Sequence, residues 1–352
     1  MNEQQPAYLK ALTFPRFILA ILIVVFHFGM HLSFFKENYF AELFQHGAVA
    51  VNFFFFLSGF VLSYNYSTST STNRFLLKRI FRIYPIYFIT FFAVLITSIS
   101  FGRDLPTLFH AAMNLIGLQS WFPGYALEVN GPSWSISVEF FLYATFPILL
   151  WVFRKVKWTS FVLISLLIII TGWVQHYYFV EHLYEPNRYF LAQFINHFPL
   201  FHFSTFVAGF LCGKWVFQLK KVNVNSWYFT LLATLGILGF ILVMNFENLI
   251  RPYTHNGGLT PFFAMICIGL ALDKNFYHHV FGSKPFIYLG NISYGVYMWQ
   301  FPLFIWFSYL VGTELLTSSE FILYLLLLLV WSSLSYELIE KPARKYLNRK
   351  FL

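Results

Sequence analysis

The chain has 352 residues, of which 58% are hydrophobic and only 11% charged, with a formal net charge of +9. Soluble domains carry roughly 45–50% apolar and about 25% charged residues, so this chain has too little polar material to cover a water-exposed surface. A soluble fold is thereby excluded, and nucleic-acid binding is set aside because the basic residues cluster at the ends of apolar segments, where membrane orientation accounts for them.

About 20 mostly apolar residues are needed per crossing. On that criterion the sequence predicts about ten transmembrane helices, at 14–34, 47–66, 83–101, 134–153, 158–178, 193–217, 226–246, 258–272, 286–311 and 320–340. The expected fold class is all-α, a polytopic membrane bundle over 1–352. It forms one integral membrane domain without an appended soluble domain, because no polar stretch is long enough to fold separately. Four basic groups fall on one side if both termini are cytoplasmic. They are Lys78, Arg79 and Arg82; Arg154, Lys155 and Lys157; Lys214, Lys220 and Lys221; and Lys341, Arg344, Lys345, Arg349 and Lys350.

The first apolar segment has a short lead and no small-residue cleavage site, and is expected to be retained. Ser67 to Thr72 reads as a flexible cytoplasmic loop. The opposite side receives the longer connections 102–133 and 179–192, the latter with Glu181, His182, Glu185 and Arg188. Phe109 to Leu118 is amphipathic and suits the membrane interface or a re-entrant turn more than a span. Cys212 and Cys267 lie in apolar runs without partner spacing, which argues for packing residues and against a disulfide or a metal site.

Ionisable residues inside such segments are costly and usually mark a path or a reaction site. Eleven steps of about 100° bring His27 to within roughly 20° of Arg16, about 16 Å further along the axis, so both point from one face. His31, four residues on, continues that stripe. The structural alternative is that Arg16 snorkels to the interface and His27 bonds a neighbouring helix. Arg79 and Arg82 stand three apart beside Pro85, where a loop is expected to enter a helix. Two guanidiniums so placed suit bidentate binding of a phosphate-bearing donor, and equally suit topology signalling or anionic lipid. In Trp134-Ser135-Ile136-Ser137-Val138-Glu139, Glu139 heads an apolar helix and calls for a partner or a watery cavity, with Ser133 or Ser135 as the expected cap. Ser58-Gly59, Gly290, Ser293, Tyr294 and Tyr297 suit close helix packing.

Taken in order, these pieces resemble the membrane acyltransferase family often called acyltransferase family 3, which includes bacterial polysaccharide O-acetylases. The likeness rests on Arg16 with His27 after ten intervening residues, Gly47 to Phe60 (GAVAVNFFFFLSGF), Arg79-Ile80-Phe81-Arg82 with Pro85, Pro132 to Glu139 (PSWSISVE), Leu289 to Pro302 (LGNISYGVYMWQFP) and Glu340-Lys341-Pro342. It spans nearly the whole chain.

The resemblance implies a multi-pass protein of the bacterial inner membrane that moves an acyl group, most simply acetyl, from acetyl-CoA to a hydroxyl of a cell-surface carbohydrate, free or lipid-linked. Acetyl-CoA is then a donor substrate, and no permanently bound cofactor is expected. Carried over by position, His27 and Arg16 become the essential first-helix pair, with His27 as general base or transient acyl carrier. Arg79 and Arg82 become the arginines that hold the donor's phosphates. Glu139 is assigned to the catalytic group, and Trp134 and Ser137 to substrate contact.

Two positions depart from the family pattern. Gln300 stands where many relatives carry a histidine before the proline, so Gln300 is given no proton-transfer role. Asn52 replaces a commonly acidic residue and so removes one partner for His27, leaving Glu37 and Glu139 as candidate orienting carboxylates, with Glu139 preferred. The competing class is a transporter or flippase of lipid-linked sugars, in which the polar residues line a passage and no bond is made.

Overall fold

The computed structural model describes residues 9–37, 39–66, 71–183, 189–219, 224–245 and 256–352. Of the loop expected at Ser67 to Thr72, residues 67–70 lie outside the described residues, as do the loop residues Glu185 and Arg188 and the basic pair Lys220 and Lys221, while Thr72 already opens a helix. Within them there is no strand.

The principal helices in chain order are α1 (Phe14–Phe28), α2 (Ala50–Asn65), α3 (Thr72–Ser100), α4 (Trp134–Lys155), α5 (Trp158–Leu183), α6 (Phe203–Leu219), α7 (Ser226–Met244), α8 (Thr260–Leu272), α9 (Lys284–Val311), α10 (Ser318–Ser335) and α11 (Lys341–Phe351). Eight helical stretches among the described residues are long and apolar enough to cross a membrane. Two of the ten expected spans fall outside that set. The helix α8 is apolar but only 13 residues long, and α9 has 28 residues but interrupts its apolar run with Asn291, Ser293 and Gln300.

Several boundaries differ from the sequence reading for identifiable reasons. Helix α1 stops at Phe28, where Gly29 is the C-cap residue and a Cβ would strike the ring of Phe321. His31 therefore leaves the helical stripe, and its Nε2–H donates to the Leu316 carbonyl at 2.8 Å. Helix α3 begins at Thr72 and continues through Pro85, so Arg79 and Arg82 sit inside a helix and not at its mouth. The expected span 193–217 is broken at Pro199. The preceding Phe198 is forced to an extended ψ of 128, and a short helix at Tyr189–His197 gives way to a 3₁₀ turn before α6. Neither expected serine cap forms at α4. Ser133 makes no capping bond, because a 3₁₀ turn at Gly131–Ser133 runs directly into the helix, and the Ser135 hydroxyl donates to the Pro132 carbonyl at 3.1 Å.

Helix association in lipid depends on close packing and hydrogen bonds, since hydrocarbon tails are as apolar as the side chains. The α2–α6 pair shows the first of these. A Cβ at Gly59 would strike the Phe206 carbonyl, and one at Gly209 would strike the Phe56 carbonyl, so each backbone lies in the gap left by the other's glycine. Helix α9 shows the second. Pro302 inside it has no N–H and frees the carbonyl four residues back, that of Met298. The buried Asn130 side chain donates to that carbonyl at 3.1 Å. The loop before α4 is thereby tied to the middle of α9.

The polar ends of the helices sort by contact. At one end Arg79 meets Tyr66, Lys214 donates to the Tyr66 carbonyl at 3.0 Å, and the Lys274 N–H donates to Ser226. We call this the basic end. The opposite end carries the Arg103–Glu314 pair, the His110–Glu128 pair and an eight-residue helix at Leu108–Leu115 within the expected amphipathic piece.

Candidate active site

Near the basic end, α1, α2, α3, α4, α9 and the chain after α10 converge on a cavity of about 140 Å³. Its ionisable lining consists of Arg16 from α1, Arg82 from α3, Glu139 and Tyr143 from α4, Tyr294 and Tyr297 from α9, and Tyr336, Glu340 and Arg344. Three guanidiniums share this space with two carboxylates inside an otherwise apolar bundle.

Each group is placed by local structure. Glu139 and Tyr143 are four apart and share one face of α4. The Tyr143 hydroxyl donates to Glu139 Oε1 at 2.6 Å, and Ser58 Oγ on α2 donates to the same oxygen at 3.1 Å. Tyr294 and Tyr297, three apart on α9, anchor the neighbouring helices. The first donates to the Ile83 carbonyl at 2.9 Å and the second to the Pro132 carbonyl at 2.8 Å. After α10 the helix widens into a π turn at Tyr336–Glu340. One additional residue in a turn rotates the rest of the helix by about 100°. Glu340 and Arg344 reach the cavity from this segment and the start of α11.

The paired arginines separate in role. Arg82 lines the cavity, whereas Arg79 lies outside it. Arg79 donates to the Tyr66 hydroxyl at 3.1 Å, and its guanidinium lies 5.8 and 5.6 Å from the ring centres of Tyr66 and Phe75. That is a packed cation–π position, worth about 0.5–2 kcal/mol.

Trp134 and Ser137 are also placed away from the lining. Trp134 is buried, its ring centre 4.6 Å from that of His197 and 5.4 Å from that of His202. Ser137 is wholly buried and accepts from the Ser120 N–H at 3.4 Å, while Ser120 Oγ donates to the Trp134 carbonyl at 2.9 Å. The stretch Pro132 to Glu139 therefore acts chiefly as a joint between α4 and the 119–121 turn. From it Ser135, Ile136 and Glu139 reach the cavity.

His27 is not part of that lining; it sits further along α1, about 16 Å from Arg16 by helical rise. Its side chain is exposed at the protein surface. Its Nδ1 is 2.8 Å from Gln300 Oε1 on α9. This corrects the expectation of an orienting carboxylate. Glu139 is engaged by Ser58 and Tyr143, and the residue that touches His27 is a neutral amide.

Sequence reasoning thus found Arg16, Arg82 and Glu139 together, but missed Ser58, Tyr143, Glu340 and Arg344 as their neighbours and Gln300 as the partner of His27. Two signals were available: a tyrosine four residues after Glu139, and an acid closing an apolar run just before Lys341-Pro342.

With this geometry in place, comparison with known proteins is decisive on one point. The family described as an acyltransferase domain matches residues 9–337. The chain belongs to acyltransferase family 3. Among individual relatives, acyltransferase MdmB of Streptomyces mycarofaciens is 32% identical over 160 residues, covering 42% of this chain and 41% of that protein. The peptidoglycan O-acetyltransferase OatA of Listeria monocytogenes is 24% identical over 327 residues, covering 85% of this chain and 51% of the relative. A putative peptidoglycan O-acetyltransferase of Bacillus subtilis, YrhL, is 23% identical over 335 residues, covering 87% and 52%. This family member therefore spans about half the length of the curated relatives it matches, or less. No solved structure matches it.

Proposed function

We propose that this chain is a membrane O-acyltransferase that takes an acyl group, most simply acetyl, from an acyl-coenzyme A at the basic end of the bundle. The acyl group passes to a hydroxyl of a cell-surface carbohydrate. One observation carries the reading: a single helix, α1, presents Arg16 to a cavity shared with Arg82 and Arg344 and also carries His27, held by Gln300, in its other half. The basic end would face the cytoplasm, in agreement with the charge sorting of the loops, and the cell membrane of a bacterium is the setting that fits. The names of the Listeria and Bacillus relatives favour acetyl as the group and a cell-wall glycan as the acceptor class.

The residues divide the task. Arg82 and Arg344, the more exposed of the three guanidiniums, would pair with donor phosphates in forked contacts that a lysine does not reproduce. Arg16, half-buried, would hold the donor's inner part, whose long flexible arm bridges toward His27. His27 would take the proton from the acceptor hydroxyl as its oxygen attacks the thioester carbonyl; the carbon–sulfur bond then breaks and the leaving thiolate recovers that proton. Glu139, fixed by two hydroxyls, would order the arginines around the donor.

The test is mass spectrometry of surface glycans from cells expressing wild type, His27→Ala or no protein, at matched membrane levels. An added acetyl mass with wild type alone is expected. Glycans of equal mass in all three samples would remove the carbohydrate acceptor and return the transporter reading.

A further inference from the structure

The contact between His27 and Gln300 determines more than proximity, because both ends of the Gln300 amide are used. Its Nε2–H donates to the Tyr297 carbonyl at 2.8 Å, so its Oε1 is the atom presented to His27 Nδ1 at 2.8 Å. An amide oxygen only accepts, and a neutral imidazole has one N–H. The proton of His27 is therefore on Nδ1, and Nε2 carries the lone pair. The amide itself is held firmly: Gln300 is fully buried, the Tyr324 hydroxyl donates to its backbone carbonyl at 2.7 Å, and two residues before it Asn130 fills the bond that Pro302 leaves open at Met298.

We infer that Gln300 is a positioning residue, one that commits His27 to the Nδ1–H tautomer and so makes Nε2 the atom that accepts the acceptor hydroxyl's proton. This rests on the transferase reading above and adds the partner that works through the histidine. A carboxylate here would fix the same tautomer and also stabilise the imidazolium formed during transfer; an amide fixes the tautomer without adding charge. The groups that titrate on the elements around the outer half of α1 do not supply that charge to the ring. The Glu42 carboxylate pairs with His46 at 3.5 Å, Glu320 accepts from the Thr317 N–H at 2.7 Å, His31 donates to Leu316, and Tyr324 donates to Gln300 itself. Gln300 is the side-chain hydrogen-bond partner of His27 among the described residues. His27 thus works as a base oriented by one neutral amide.

The first test does not depend on activity. Protein carrying ¹⁵N-histidine is placed in lipid bilayers, and the His27 signals are identified by their loss in His27→Ala. Wild type should show the neutral ring protonated on Nδ1. Gln300→Met, of similar size and without the acceptor, should lose that preference, and Gln300→Glu should keep it. A wild-type ring protonated on Nε2, or a tautomer unchanged in Gln300→Met, overturns the inference even if the protein transfers acyl groups. Equally, a correct tautomer in a protein without transferase activity would leave the inference standing and remove the reading beneath it.

Kinetics supply the second test. Gln300→Met is expected to lower kcat on the order of 100-fold with little change in the donor's KM, and Gln300→Glu to restore most of it. The carboxylate of Gln300→Glu favours the imidazolium, so a higher pH is needed to free the base, and the acidic limb of the pH–rate profile moves upward. Equal losses in both variants, or a loss confined to KM, would assign Gln300 to packing alone.

Discussion

The two halves of α1 are built on opposite principles. Near the basic end, Arg16 faces a cavity crowded with charge, where two further arginines and two glutamates meet hydroxyls from three helices. About 16 Å on by helical rise, His27 sits against aromatic rings and one neutral amide. The difference teaches how one helix can serve two demands. Recognising phosphates needs full charges that water can reach, whereas a proton acceptor needs one lone pair aimed in one direction.

The largest test of this division is His27→Ala. It should cut acyl transfer by about 10²–10⁴-fold, read as released free coenzyme A, with donor affinity changed little. Arg82→Ala should do the reverse, raising the donor's KM by about 10–100-fold with a smaller effect on kcat. Arg82→Lys should recover little, because an ammonium does not form the fork. Arg79→Lys sharpens the contrast. With its guanidinium against Tyr66 and Phe75, it should move the donor's KM less than Arg82→Lys does in the same assay.

Two stability effects are smaller. Asn130→Leu leaves the Met298 carbonyl without its donor and should cost about 1–3 kcal/mol, measured as a lowered unfolding midpoint in detergent. Ser137→Ala removes one weak bond to the 119–121 turn and should cost about 0.5–1.5 kcal/mol by the same measurement, with donor affinity intact.

The helical bundle was legible in the sequence because apolar length is a local property that lipid enforces directly. Each expected segment contains a helix, and the errors fall where local chemistry intervenes: Gly29 ends α1, Pro199 splits a span, and a π turn comes after Ser335. Arg16, Arg82 and Glu139, which line one cavity, stood out in the sequence because charge in an apolar run is conspicuous. Arg79 and Arg82 could not be told apart, since spacing gives a shared face but not which aromatic rings stand opposite. Trp134 and Ser137 were read as substrate contacts for the same reason, their nearness to Glu139 in the chain. Gln300 was set aside as a departure from the family pattern. Its contact with His27 joins residues 273 positions apart, and only the crossing of α1 and α9 brings the amide to the ring.

Equilibrium binding of acetyl-CoA to purified wild type, His27→Ala and Arg82→Ala in lipid nanodiscs tests the division of α1 most directly. Binding by His27→Ala within a few-fold of wild type, together with at least tenfold weaker binding by Arg82→Ala, is the result expected of a donor held at the basic end and a base that acts apart from it. Binding lost in His27→Ala and kept in Arg82→Ala would contradict that division.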